Sequence, residues 1–306
     1  MKKTIFLVLV ALLLISGCET TTETTEGPFI GGTQGLSIEF KDLNPSTEFY
    51  QGEDQPVKVI IKNNGEYEVA ATEAQAKIYG IVHSEFSLSD EYKATEGVLI
   101  AREKGVLEET TGEQVIDLGI LNYQRDVQNL YATNLKAKVC YPYQTEARVS
   151  ACASSLTTTE AGIEQVCTYT GEKATAGTVS SGPIQLTSFT ETTKGTREML
   201  ISLEVSNLGS GEVYRPNSDC TSLEEATTKI ENQNMVKITI DPADIVCSFA
   251  TGEESNTGEI DLSYGPKTLV CTMQVEEGET YTRDVAIYLD YTYIESTTKP
   301  ITVLEP

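Results

Sequence analysis

A strand-like run that ends in Asn-x-Gly occurs twice in this 306-residue chain. Residues 57–61 lead to Asn63-Asn64-Gly65, and residues 201–205 lead to Asn207-Leu208-Gly209, 144 positions later. Apolar and polar side chains alternate in both runs, which sets one face of an extended segment on a core and the other in water. Glycine at the end is expected to supply the positive φ that such turns often require. Ile116-Asp117-Leu118 and Ile260-Asp261-Leu262 repeat at the same offset, and Val139-Cys140-Tyr141-Pro142-Tyr143 matches Leu289-Asp290-Tyr291-Thr292-Tyr293 at 150. A period near 145 implies a duplicated module and not a solenoid.

Each copy reads as short strands punctuated by turn residues, among them 36–40, 75–81 and 97–101 in the first. Each is expected to close in a hairpin. Residues 135–141 turn near Gln144-Thr145-Glu146 into 147–152, and residues 285–289 are followed by a turn near Ser296-Thr297-Thr298 into 301–303. Long helical periodicity is missing beyond the N-terminal run. A short helix is predicted near 221–230, with Thr221 capping it and Glu224 completing a capping box. Fifteen tyrosines, abundant threonine and no tryptophan suit half-exposed pleated surfaces. The predicted fold is all-β: two tandem immunoglobulin-like antiparallel sandwiches, residues 36–167 and 184–306, joined by a flexible linker at 168–183.

Asn44-Pro45, Gly52-Glu53, the strand at 57–61 and Asn63-Asn64-Gly65 together resemble the CARDB-type immunoglobulin-like modules of archaeal and bacterial surface proteins. In the second copy Gly195, the strand at 201–205 and Asn207-Leu208-Gly209 remain, while the Asn-Pro pair is missing. The resemblance spans about a third of each module. It implies fold and surface context and carries over no binding residue.

Residues 1–17 have the layout of an export signal: two lysines, an apolar run from Ile5 to Ile15, then Ser16-Gly17 before Cys18. The run is short for a bilayer span, which takes about 20 apolar residues. Ile15-Ser16-Gly17-Cys18 resembles the lipobox of prokaryotic lipoproteins, which implies lipid on Cys18 and an extracytoplasmic, membrane-held protein. Residues 18–35, rich in Thr, Glu and Gly, have little to bury and are expected to form an extended, solvated tether. An ordinary secretory signal and an uncleaved anchor helix are the competing readings.

The chain carries 22 basic and 46 acidic residues. Such a balance argues against nucleic-acid partners and against lying flat on anionic lipid. Beyond Cys18, six cysteines remain, an even number that suits disulfides in an exported chain. Cys247 and Cys271 lie in register with apolar neighbours and form the first-choice bridge. Cys140 and Cys152 are symmetric about the expected turn and are candidates for a cross-strand bridge, with Cys152–Cys167 as the rival. Three cysteines fall in each module, so full oxidation requires a bridge between modules, for example Cys167–Cys220. No Cys-x-x-Cys occurs and His83 is the single histidine, which argues against zinc, an iron–sulfur cluster and a Ser–His–Asp site with Ser84. No cofactor or metal is expected, and no segment reads as catalytic. Tyr141, Tyr143, Tyr291 and Tyr293 are the candidate contact surface. The expected role is an adhesive, scaffolding or spacer module bound to another surface protein or a glycan. A subunit of a polymeric surface layer is the alternative, and an exported hydrolase acting through acidic residues the remote one.

Overall fold

The computed structural model describes residues 27–105, 112–154, 166–250, 252, 254–276 and 280–306. The expected signal segment and Cys18 lie outside the described residues. Among the described residues no helix is long and apolar enough to cross a membrane. Regular structure among the described residues is nearly all β. In order come β1 (Leu36–Phe40), β2 (Glu48–Tyr50), β3 (Gln55–Asn63), β4 (Gln75–Tyr79), α1 (His83–Phe86), β5 (Lys93–Ala94), β6 (Glu113–Leu121) and β7 (Leu130–Ser154). The second half adds β8 (Ile184–Lys194), β9 (Glu198–Asn207), β10 (Glu212–Tyr214), α2 (Ala226–Asn232), β11 (Met235–Asp241), β12 (Val246–Ser248), β13 (Glu254–Ser255), β14 (Thr257–Asp261), β15 (Lys267–Gln274) and β16 (Thr280–Leu304).

Two strands of 25 residues organise everything else. β7 and β16 pair antiparallel along their whole length, from Leu130 opposite Leu304 to Ser154 opposite Thr280. At about 3.3 Å per residue this ladder runs for roughly 80 Å. The hairpins expected near residues 144–146 and 296–298 do not form: both segments continue straight. Neither triplet contains the glycine or asparagine that a tight hairpin turn uses at positive φ, and their threonines favour extended backbone. The returning strand of each hairpin is supplied instead by the other half. Leu135 to Tyr141 pair with Lys299 to Tyr293, and Val285 to Leu289 with Val149 to Thr145.

This exchange makes the large sheet symmetric in order, β14-β11-β16-β7-β4-β5, with β2 and β10 added along β16. β1-β3-β6 and β13-β12-β15-β9-β8 form two smaller sheets. The odd-numbered side chains of β7 from Leu135 to Ala153 are buried, so both smaller sheets cover the same side of the large one. One contiguous core results, running through both halves.

Strand pairing sorts the repeats. The Asn-x-Gly runs end the equivalent strands β3 and β9, and the Tyr-x-Tyr runs lie opposite each other at the centre of the ladder. The third pair is not equivalent: Ile116 on β6 pairs with β3, whereas Ile260 on β14 pairs with β11 in the large sheet. By its pairing with β9, β15 is the counterpart of β6.

Parts of the expected tether and linker are packed. Glu66 accepts the backbone N–H groups of Ile30, Gly31 and Ser181 at 2.8, 2.9 and 2.7 Å, holding both segments to the first half. Ser180 N donates to Glu146 O, and Val179 bridges to Ala147 on β7. Gly31 and Gly32 hold defined positive φ, so their role is a fixed turn and not flexibility.

Three disulfides form among the described residues: Cys140–Cys220, Cys152–Cys167 and Cys247–Cys271. The last is the first-choice bridge, and Cys152–Cys167 the rival. Cys140–Cys152 is impossible because twelve residues of straight strand separate the two by roughly 40 Å. The bridge between halves is Cys140–Cys220, in place of the Cys167–Cys220 example. It fastens the excursion after β10 to the uncovered side of the large sheet, where Cys140, Cys220, Tyr214, Leu223 and Ile294 make a second small core. The predicted helix is split into a 3-10 turn, Ser222–Glu224, and α2. Thr221 does not cap, because the Asp219 carboxylate takes both the Ser222 N–H and hydroxyl, at 2.9 and 2.8 Å.

Replacing both Cys140 and Cys220 by serine opens a loop of 80-residue separation. On the chain-entropy model the unfolding free energy falls by roughly 4 kcal/mol, measured by chemical denaturation under oxidising conditions.

Candidate functional site

The four tyrosines singled out in the sequence do come together, but inside the molecule. Tyr141, Tyr143, Tyr291 and Tyr293 are at most 2% exposed, so they form no contact surface. Alternation along two paired strands puts all four on the core side at the point where the halves meet. Ring centroids lie 5.8–6.2 Å apart around the cluster, in tilted and edge-on arrangements that suit aromatic quadrupoles.

Each hydroxyl is satisfied. Tyr141 Oη accepts from Leu36 N at 3.2 Å, and Tyr143 Oη donates to Ser181 O at 3.2 Å. Tyr291 Oη lies 2.9 Å from Thr145 Oγ1, and Tyr293 Oη accepts from Gly211 N at 2.8 Å. Burial pushes all four phenols above their ordinary range, Tyr293 to about 12, so they stay protonated. Their work is packing and hydrogen bonding.

The Asn-x-Gly turns explain the repeat at atomic level. Asn63 Oδ1 accepts from Gly65 N, its Nδ2 donates to Tyr67 O, and Tyr67 N donates to Tyr143 Oη. Asn207 makes the same bonds to Gly209 and Gly211, and Gly211 N donates to Tyr293 Oη. Neither Gly65 nor Gly209 has positive φ. Glycine is needed there for space, since a Cβ on Gly65 would run into the Tyr143 hydroxyl, and one on Gly209 into that of Tyr293.

A charged cluster that the sequence did not single out lies on the other side of the large sheet. Lys77 on β4 is 5% exposed, 2.6 Å from Asp90 and 3.7 Å from Glu224. Glu224 Oε1 also accepts from Lys138 Nζ at 2.6 Å and from Tyr92 Oη at 2.8 Å. Lys77 and Lys138 both stand over the Tyr92 ring. Burial works to raise the Glu224 carboxyl, but the bonds from Lys138 and Tyr92 and the charges of both lysines outweigh it and hold it below the ordinary range. Glu224, expected to cap a helix, thus joins the two halves beside Cys140–Cys220. His83 begins α1 and reaches Asp90 at 3.2 Å. Asp90 is thus shared between His83 and Lys77, and every charge in the cluster already has a partner.

A slot of about 370 Å³ opens beside Tyr141 and Tyr293, between Leu36, Ile38, Leu208 and Gly209, and carries one ionisable wall group besides the tyrosines, Glu295. A shallow hollow holds Arg148, Arg283 and Tyr288, but the arginines already face Glu146 and Asp244. Among the described residues no group of three or more His, Cys, Asp or Glu is placed to hold a metal ion.

Gly209→Ala costs about 2–3 kcal/mol by overpacking against the Tyr293 hydroxyl and Pro183, and Tyr293→Phe in the same chain recovers only the hydroxyl's share; a denaturation double-mutant cycle reads the coupling. Glu224, with its lowered folded-state value, stabilises fully above the ordinary Glu range and less as pH falls through that lowered value. Unfolding midpoints measured between pH 3 and 6 therefore fall more steeply toward acid in the native chain than in Glu224→Gln.

No protein-family model matches the chain, and no curated protein matches it. Among solved structures, Escherichia coli alpha-2-macroglobulin activated by porcine elastase aligns with 88% of this chain at 8% identity and a TM-score of 0.16. The aligned region spans 32% of that much longer protein.

Proposed function

We propose that this protein is a non-catalytic surface module, held at a membrane by lipid on Cys18, that serves as a stiff spacer or scaffold and presents its far surface to another surface protein or a glycan. The observation that carries this reading is the β7–β16 ladder: an uninterrupted antiparallel pair of 25 residues per strand, with the two smaller sheets packed on its sheet and a disulfide across the halves. Such a body resists bending at its middle, where two separately folded domains would hinge. Three disulfides suit an extracytoplasmic setting. The lipobox-like Ile15-Ser16-Gly17-Cys18 and the resemblance to CARDB-type modules point the same way.

Cys18→Ala is expected to shift the chain from the membrane fraction to the soluble extracytoplasmic fraction, and the native chain to carry the mass of an acylated Cys18. An unmodified Cys18 overturns the anchor. Crosslinking on intact cells then tests the role. Links to one distinct surface protein support the scaffold, and links mainly between copies of this chain replace it with a polymeric subunit.

A further inference from the structure

We propose that Glu191 and Lys173 form a pH-operated latch that controls access of reductants to the Cys152–Cys167 disulfide. Glu191 lies on β8 with its side chain wholly buried. Its Oε1 accepts from Cys152 N at 2.7 Å, so the carboxyl is bonded to the backbone of a cysteine in that bridge. Its Oε2 has no hydrogen-bond partner. The nearest cation, Lys173 Nζ, is 3.8 Å from Oε2, beyond hydrogen-bonding reach.

Lys173 belongs to the strap that follows Cys167 and covers the outer edge of β8. Glu172 fixes this strap: it accepts from Phe189 N at 2.6 Å, Ser188 Oγ at 2.7 Å and Ala174 N at 2.8 Å, while Lys173 N donates to Phe189 O. The disulfide fastens the start of the strap to β7, with Cys152 almost fully buried and Cys167 half-buried, so a reductant reaches the Cys152 sulfur only past the strap. The charged groups around Glu191 are few. The strap offers Lys173, β7 offers the Cys152 amide, and β9 opposes it with Ile201.

Burial raises the Glu191 carboxyl, the Cys152 N–H and Lys173 partly oppose that, and the value settles at about 7. A folded value above the ordinary Glu range means the stability held by the neutral acid is complete below about 4.5 and is lost as pH rises through about 7. Above that point a carboxylate with one unbonded oxygen sits in a dry site. Lifting the strap lets water reach it, and the same movement uncovers the bridge.

The test uses the full oxidised chain and a water-soluble phosphine. The phosphine gives two electrons to the S–S bond and takes oxygen from water as phosphine oxide, while the two protons of that water end on the two thiols. Reduction is followed by alkylation and peptide mass from pH 5.5 to 8.5, with Cys247–Cys271 as internal reference. In the native chain the relative rate at Cys152–Cys167 is expected to rise at least tenfold across this range. In Glu191→Gln, which keeps the acceptor for Cys152 N, it is expected to stay slow and flat. Lys173→Met removes the counter-charge and is expected to move the rise to higher pH. The same pH profile in the native chain and Glu191→Gln overturns the latch. Should Glu191→Gln not fold, an unmoved profile in Lys173→Met overturns it equally.

Discussion

The antiparallel ladder between β7 and β16 is the interaction on which the rest depends. Each long strand belongs to both halves: its first part sits in the sheet of its own half, and its second part completes the sheet of the other. Neither core closes without a strand from its counterpart. Residues 135–141, without 293–299 beside them, would leave an open edge in the middle of a sandwich, with unpaired backbone and exposed apolar side chains. The halves therefore gain their cores together, and the connection is cooperative where a linker would have made it independent.

Symmetry in the core contrasts with asymmetry outside it. Strand order in the large sheet is the same read from either end, and each Asn-x-Gly turn delivers a backbone N–H to a core tyrosine hydroxyl, from Tyr67 to Tyr143 and from Gly211 to Tyr293. The uncovered side is different. Around Cys140 it is closed by the loop carrying Asp90 and Tyr92 and by the excursion through Glu224, with a disulfide and a lysine–carboxylate network at their meeting point. Among the described residues no matching cover lies over Gln144, Arg148 and Tyr288, where the sheet stays polar, with Arg148 exposed and the other two half-buried. Whatever distinguishes one end of the body from the other arises from these additions.

Much of this was legible in the residues. Alternation gave the β class, the spaced Tyr-x-Tyr runs marked the duplication though not their burial or pairing, and in-register cysteines gave Cys247–Cys271. Three things were hidden, each for a physical reason. A run such as residues 135–152 alternates identically whether it folds back or runs straight, because period two reports faces and not partners. Gly65 and Gly209 looked like φ requirements, but their need arises from a tyrosine 78 and 84 residues away in sequence, respectively, which no local pattern reveals. Glu191 was concealed by a bulge between Leu186 and Ser188: it shifts the alternation by one, so Phe189 and Glu191 turn inward where Ser188 and Thr190 were in phase.

The tyrosine hydroxyls also explain why the ladder holds one register. A slip of one residue would turn every core side chain outward and is excluded by burial alone. A slip of two would keep the faces, and on a strand whose core side is mostly Ala, Val, Leu and Ile the apolar cost would be modest. It would, however, carry the four phenols away from Leu36, Ser181, Thr145 and Gly211. Each buried hydroxyl or backbone group left unpaired costs about 1–3 kcal/mol, and each phenol here has a partner outside β7 and β16 or across the ladder. Four such groups at the midpoint outweigh the loss of any single methyl contact, so a small polar centre fixes the alignment of an apolar spine.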